Sequence, residues 1–354
     1  MSATPLWLPA SGCGPACLPT DGEARAVPAA RRAGRLLAVL GMLLAGTVLA
    51  ALLPVLPPGE RAAAVRGWAR GTLRALGVRL VVRGRAPRRP ALLVANHVSW
   101  LDVLALLAVA PARMVAKREV RSWPLVGLLA TAAGTVLVDR ARPRDLPATV
   151  ARVAAALRAG RPVAVFPEGT TWCGATDAGG CRPGRGFRPA LFQAAIDVGA
   201  PVVPLRIGYV CAGTGAPTTA AAFVGDDTLF RSLGRVLAAR DLEVRVTVSA
   251  ALHPARDADR RLLARTAESA VHLMPPSTGA AAPVRPVPVR APSTPVAVPA
   301  PSAAVAVPAP SRPVAVPAPA APIAVPAPSA VAVPAEPGPP AVPAGPERNL
   351  DLAA

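Results

Sequence analysis

Pro90-Ala91-Leu92-Leu93-Val94-Ala95-Asn96-His97-Val98-Ser99-Trp100-Leu101-Asp102 is the stretch whose reading decides the fold. Its apolar half is short, lacks polar alternation and ends abruptly at Asn96, so it reads as a strand buried on both faces. Strands of that kind belong to parallel sheets covered by helices. The polar half then falls at the strand's carboxyl end, where open α/β sheets bind their ligands, and His97 is expected to face a cleft.

On a continuous helix, His97 and Asp102 would point about 140° apart and be separated by a rise of about 7.5 Å. They meet only if His97 lies in the turn. With Ser99 as N-cap, the helix starts just after the histidine and Asp102 sits in its first turn, where the carboxylate can swing back to a ring nitrogen. A carboxylate on one nitrogen fixes the tautomer and leaves the other nitrogen as a base. A second reading stays open: Ser99-x-x-Asp102 also fits a capping box, and the histidine is then structural.

Outward from this stretch, short apolar runs alternate with helical patterns. Strands are expected at 78–82, 91–95, 135–138, 162–166, 202–207 and 242–250, and helices after Ser99 and over 145–159, 188–198, 227–238 and 257–273. That order predicts an α/β domain over residues 78–274, with a mostly parallel central sheet flanked by helices. Upstream, Leu36 to Leu53 carries no charge and at about 1.5 Å per residue is long enough for most of a bilayer core of about 30 Å. Arg31, Arg32 and Arg35 precede it and Pro54, Pro57 and Pro58 follow. From Glu60 to Leu76, an apolar arc of Val65, Trp68, Ala69, Leu73 and Leu76 lies beside Arg66, Arg70 and Arg74. Such a helix either lies in a membrane interface or packs on a core with a solvated basic face. Residues 31–77 are thus read as a membrane-associated helical segment.

Residues 1–30 lack periodicity and are expected to be disordered. From 275 to 354 the chain is a Pro/Ala/Val-rich low-complexity tail, rich in the 45 prolines of the sequence, that forbids helix and central strand. It is expected to be disordered and extended, as an inert tail, a spacer, or the ligand of an unknown Pro-binding module. Charged residues of the tail nearly cancel, Arg285, Arg290, Arg312 and Arg348 against Glu336, Glu347 and Asp351, so nearly all of the chain's net charge of +19 resides in residues 1–274. A basic chain with an apolar segment suits an anionic membrane. Aromatics make up only 3% and no nucleic-acid motif occurs, so nucleic acid is not an expected partner. Lys117 is the sole lysine among 39 basic residues. The five cysteines, Cys13, Cys17, Cys173, Cys181 and Cys211, match no zinc spacing, so no metal is expected, and their odd number suits a reducing compartment.

The His97-to-Asp102 stretch resembles the H-x4-D signature of the glycerolipid acyltransferases of the 1-acyl-sn-glycerol-3-phosphate type. Three further blocks occur in that family's order: Gly134-Thr-Val-Leu-Val-Asp-Arg140, Phe166-Pro-Glu-Gly-Thr170 and Val202-Val-Pro-Leu205. The resemblance implies transfer of a fatty acyl group from acyl-CoA or acyl-carrier protein, as co-substrate, to the sn-2 hydroxyl of a lysophospholipid, with no cofactor. It implies that His97 deprotonates the hydroxyl and that Asp102 orients the ring. No G-x-S-x-G elbow occurs and no cysteine lies within the four blocks, so direct transfer without an acyl-enzyme is expected. Arg140 follows a strand, as His97 does, and suits phosphate, against the alternative of an ion pair with Asp139 or Asp145. Glu168 is expected to accept from an acceptor hydroxyl, Gly169 to offer its N–H to an anion, and Thr170 to line the same site. A plain turn is the alternative for that block. Lys117 and Arg188 are further candidates for the anion.

Two departures leave the acceptor open: Thr171 stands where the family often has Arg or Ser, and Ala190 where it usually has Gly. Another lyso-lipid, such as a lyso-ornithine lipid, is the alternative acceptor, and a lipid thioesterase or hydrolase the alternative activity. Both expected donors are cytoplasmic, so the enzyme is expected at the cell membrane with the chain after Pro58 on the cytoplasmic side.

Overall fold

The computed structural model describes residues 11–19, 26–87, 89–123, 125–175, 181 and 186–273. The expected Pro-rich tail lies outside these residues. Among the described residues there are seven strands, β1 Arg79–Arg83, β2 Leu92–Ala95, β3 Arg113–Lys117, β4 Val136–Val138, β5 Val163–Val165, β6 Val202–Cys211 and β7 Leu242–Val248. They form one sheet in the order β1-β7-β6-β2-β5-β3-β4. Five of them, β6, β2, β5, β3 and β4, run parallel. β7 is antiparallel to β6, and β1 is parallel to β7.

Eight α-helices accompany them among the described residues: α1 Ala29–Leu52, α2 Pro58–Ala75, α3 Leu101–Val109, α4 Val126–Ala132, α5 Leu146–Arg158, α6 Phe192–Val198, α7 Leu229–Ala238 and α8 Arg260–His272. Because strand side chains alternate, β2 serves two cores. Leu93 and Ala95 join α2, α3 and α7 in one, while Leu92 and Val94 join α5, α6 and α8 in the other. All four residues of β2 are buried, which is why no polar residue interrupts it.

Several boundaries differ from expectation. β3 and α4 are absent from the sequence reading because Arg113 and Lys117 bracket only three apolar residues and β3 is mostly half-buried, so the apolar signal is weak. α6 starts at Phe192 rather than at 188, since Pro189 restricts Arg188 and the chain takes 3-10-like turns first, Phe192 N–H donating to Pro189 O at 3.2 Å. The described part of residues 1–30 is also more ordered than expected. Cys13 and Val27 are buried, Pro15–Cys17 forms a 3-10 turn, and Val27 N–H donates to Ala238 O at 2.9 Å. Sequence periodicity is blind to such contacts, which are non-local and partly backbone.

α1 and α2 form an antiparallel hairpin. Trp68 Nε1 donates to Met42 O at 2.8 Å, and a Cβ on Gly46 would fall 2.8 Å from the same indole nitrogen. Glycine is therefore what lets the helices close. Gly46→Val is expected to cost about 1–3 kcal/mol, read as a lower unfolding temperature in detergent; an unchanged midpoint would show that the hairpin does not pack this way. The hairpin starts against the domain, with Arg35 Nη1 donating to Leu237 O and Ala239 O, both at 2.8 Å. The opposite face of α1 is apolar and open: Leu36, Leu40, Leu44, Val48 and Leu52, spaced by four, are all exposed.

Candidate active site

The four adjacent parallel strands β2, β5, β3 and β4 end on one edge of the sheet, and each leads to a residue singled out by the sequence. β2 leads to His97, β5 to Glu168, β3 ends at Lys117, and Arg140 lies two residues beyond β4. At about 4.8 Å between neighbours, the first and last of these strand ends are about 14 Å apart.

β2 is ended by Asn96, whose amide forms two bonds with one residue of β6: Nδ2 donates to Ile207 O at 2.8 Å and Oδ1 accepts from Ile207 N–H at 2.7 Å. The side chain continues the ladder while the main chain turns away. α3 begins at Leu101 with Trp100 in the cap position, not Ser99 as expected, and the cap is supplied from inside the helix. Asp102 Oδ2 accepts from Val98 N–H at 2.7 Å, from Ser99 N–H at 2.8 Å and from His97 Nδ1 at 2.9 Å. Asp102 Oδ1 accepts from the Tyr209 hydroxyl at 2.6 Å. Capping box and dyad are thus the same carboxylate, and the two readings left open by the spacing coexist.

Asp102 is wholly buried, while the His97 side chain keeps 20% of its surface exposed. With three other donors aimed at the carboxylate, it acts as an acceptor, which places the imidazole proton on Nδ1 and the lone pair on Nε2. Nδ1 faces the buried acid, so the accessible edge of the ring is that of Nε2. Phe166 holds the ring flat, stacked at 3.9 Å between centroids and 8° between planes. Burial, together with the neighbouring Asp102 charge, pushes the Tyr209 phenol well above its ordinary value and keeps it a donor.

Glu168 occupies a different position from the expected one. It is buried, and Oε2 accepts from His97 N–H at 2.7 Å, with Oε1 3.3 Å from Nε2 of His272. Burial raises its pKa, against which His272 and the His97 amide act. One carboxylate oxygen is therefore committed to the backbone of the histidine turn, while Oε1, apart from its contact with His272, is buried without a hydrogen-bond partner. Gly169 likewise gives its N–H to Phe166 O at 3.0 Å, not to an anion, and its φ of +74° is what the turn requires of a glycine. Thr170 is half-buried beside it. Trp172 N–H donates to His97 O at 3.0 Å, so the segment after the glycine braces the histidine from behind.

Lys117 Nζ lies 5.5 Å from the centroid of the Trp123 ring. Asp139 pairs with Arg118 at 3.2 Å and Arg142 at 3.8 Å, not with Arg140. Although part of Arg140 is exposed, partial burial of its guanidinium holds its pKa below the ordinary arginine value; Glu119 opposes this and Arg188 adds repulsion. Arg188 itself is anchored through its N–H to Pro167 O at 3.0 Å, within the block that carries Glu168. The sequence reading missed Tyr209, Asn96, Phe166 and His272 as members of this site. Only their rarity marked two of them: Tyr209 is the sole tyrosine and His272 one of three histidines.

The family model described as Acyltransferase matches residues 79–208. A lyso-ornithine lipid O-acyltransferase of Pseudomonas aeruginosa is 39% identical over 208 residues, 59% of this chain and 76% of that one. The chain belongs to the acyltransferase family. Another relative of this acyltransferase, the 1-acyl-sn-glycerol-3-phosphate acyltransferase of Neisseria meningitidis, is 37% identical over 216 residues, 60% of this chain and 81% of that one. Among solved structures, the 1-acyl-sn-glycerophosphate (LPA) acyltransferase of Thermotoga maritima aligns with a TM-score of 0.48 and 19% identity, covering 68% of this chain and 94% of that one. The matched span of the acyltransferase family model includes β1 to most of β6 and therefore every side chain of the strand-end cluster.

Proposed function

We propose that this acyltransferase esterifies the sn-2 hydroxyl of a 1-acyl-glycerol-3-phosphate, giving phosphatidic acid. His97 Nε2 takes the hydroxyl proton as that oxygen attacks the thioester carbonyl of acyl-CoA or acyl-carrier protein. The new C–O bond forms, the C–S bond breaks, and the imidazolium returns its proton to the leaving thiolate. No resident cofactor enters the scheme.

The observation that carries the acceptor choice is Arg140 beside Arg188 on the sheet edge that holds His97. Two guanidiniums that repel each other are stabilised together by a phosphate, which can engage both forks. Lys117, at the end of β3, is a further cation on the same edge. The acceptor of the Pseudomonas relative favours a second reading, a lyso-ornithine lipid, whose headgroup carries a carboxylate and an ammonium. Glu119, close enough to Arg140 to raise its pKa, is the acid such an ammonium would need. A panel of lyso-lipids with both thioester donors separates the two. Lysophosphatidate should be the faster acceptor, and Arg140→Ala should raise its KM about 10- to 100-fold, the loss of one charged hydrogen bond. Faster turnover of lyso-ornithine lipid by the native enzyme would replace the first reading with the second, and fatty acid release without acceptor would replace both.

The open row Leu36 to Leu52 on α1 supports a seat in the membrane. α1 is long and apolar enough to cross one. Its start and the returning end of α2 both pack on the domain, the latter through Arg70 Nε to Ala108 O at 3.1 Å, and α2 also carries Arg66 and Arg74, so we place the hairpin in a single leaflet with those two arginines toward anionic lipid. The thioester donors would put that leaflet on the cytoplasmic side.

A further inference from the structure

Four cysteines that lie far apart in sequence come together in space. Cys13 and Cys17 stand before α1, Cys173 and Cys181 after the Glu168 block, and the four Sγ atoms all lie within 4.8 Å of one another. We propose that these four thiols hold one thiophilic metal ion, with zinc the best fit.

The geometry supports this in three ways. In a tetrahedral tetrathiolate with Zn–S of about 2.3 Å, neighbouring sulfurs are about 3.8 Å apart. Cys17 Sγ and Cys181 Sγ are 3.7 Å apart, and all the cysteines are free thiols. Four mutually close sulfurs of soft character, with no carboxylate or imidazole among them, select zinc or iron over magnesium or calcium.

The surroundings are also those of a metal thiolate. Cys173 N–H points at Cys13 Sγ at 3.3 Å, the kind of outer hydrogen bond that stabilises charge on a ligating sulfur. The turn at Pro15–Cys17, closed by Cys17 N–H to Gly14 O at 3.0 Å, curls Cys17 back beside Cys13. Cys13 and Cys173 are buried while Cys17 and Cys181 are half-buried, and four protein thiols would fill all four positions, as in structural zinc sites. Cys211, on β6, lies outside the cluster.

Such an ion would staple the segment before the membrane hairpin to the strand-end loop. That loop braces the base: Trp172, adjacent to Cys173, holds His97 O, and Gly174 packs on Val98. The metal has no part in acyl transfer in this scheme. It fixes the backbone on which His97 sits by joining Cys13 to Cys173, which are 160 residues apart in sequence.

The test is metal analysis of the full chain, purified in detergent without a metal-affinity tag from zinc-supplied cells. About one equivalent of zinc or iron per chain is expected. Cys211→Ser should keep it. Cys181→Ser, at the more accessible corner, should lose most of it. Should that variant fail to fold, titrating the native protein with an organomercurial decides: metal should be released as about four thiols react. Cobalt substitution should give the intense bands of a tetrahedral thiolate complex. Less than about a tenth of an equivalent of either metal, with the four thiols reacting as readily as Cys211 or joined in disulfides, would overturn the site.

Discussion

Replacing His97 with alanine is expected to lower kcat about 10²- to 10⁴-fold, with KM for the acceptor little changed. The ring is the one group on this sheet edge that pairs an accessible lone pair with a fixed tautomer, and its loss leaves the hydroxyl to ionise unaided. The fold should survive. Asp102 keeps three of its four hydrogen bonds, from Val98, Ser99 and Tyr209, and the ring was itself partly exposed. Phe166 loses its stacking partner but stays beside the site. The measurement is initial rate with a labelled thioester at saturating acceptor, alongside the unfolding midpoint. A variant that retains a third of the native kcat with a native midpoint would reject His97 as the base.

How far this site can be read from the sequence depends on the range of each contact. His97 and Asp102 are legible because one turn separates them, and the geometry of a helix start dictates when they can meet. β2, β4 and β5 are legible as short, wholly apolar runs, and a strand's carboxyl end marks where its polar residue falls. Neighbourhood across the sheet is not legible. That Lys117 and Arg140 flank Glu168 and His97 follows from the order β2-β5-β3-β4, in which β3 reached the sheet with only a faint apolar signal.

Tyr209 and His272 are hidden for a related reason. Each lies more than 100 residues from the acid it touches, on an element whose periodicity reports only its own core face. Glu168 shows the limit of motif reading. The block locates the residue correctly at the strand end, yet whether the carboxylate faces solvent or the His97 amide is set by the turn after Phe166, where Gly169 takes a positive φ. The cysteines make the same point, since Cys13 and Cys173 meet only because the chain before α1 folds back over the domain.

Asp102→Asn and Asp102→Ala are expected to fail for different reasons, and the difference tests the dual role of this carboxylate. In the asparagine variant one orientation is compatible with the site: the amide oxygen must take the place of Oδ2, where three N–H donors converge, leaving the amide nitrogen to face Tyr209. The tyrosine hydroxyl then accepts instead of donating, which its lone pairs permit. The fold is kept, but the imidazolium formed during transfer loses its buried counter-charge, and kcat should fall on the order of 10²-fold or more. In the alanine variant, the Val98 and Ser99 amides are left buried without partners and the Tyr209 hydroxyl loses its carboxylate acceptor, each at a cost of about 1–3 kcal/mol. That sum is comparable with the whole stability of a domain, so this variant should unfold or aggregate rather than merely slow down. Near-native turnover by Asp102→Asn would show that the acid caps the helix and does nothing for the ring; equal stability of the two variants would show that the four hydrogen bonds do not converge on it as described.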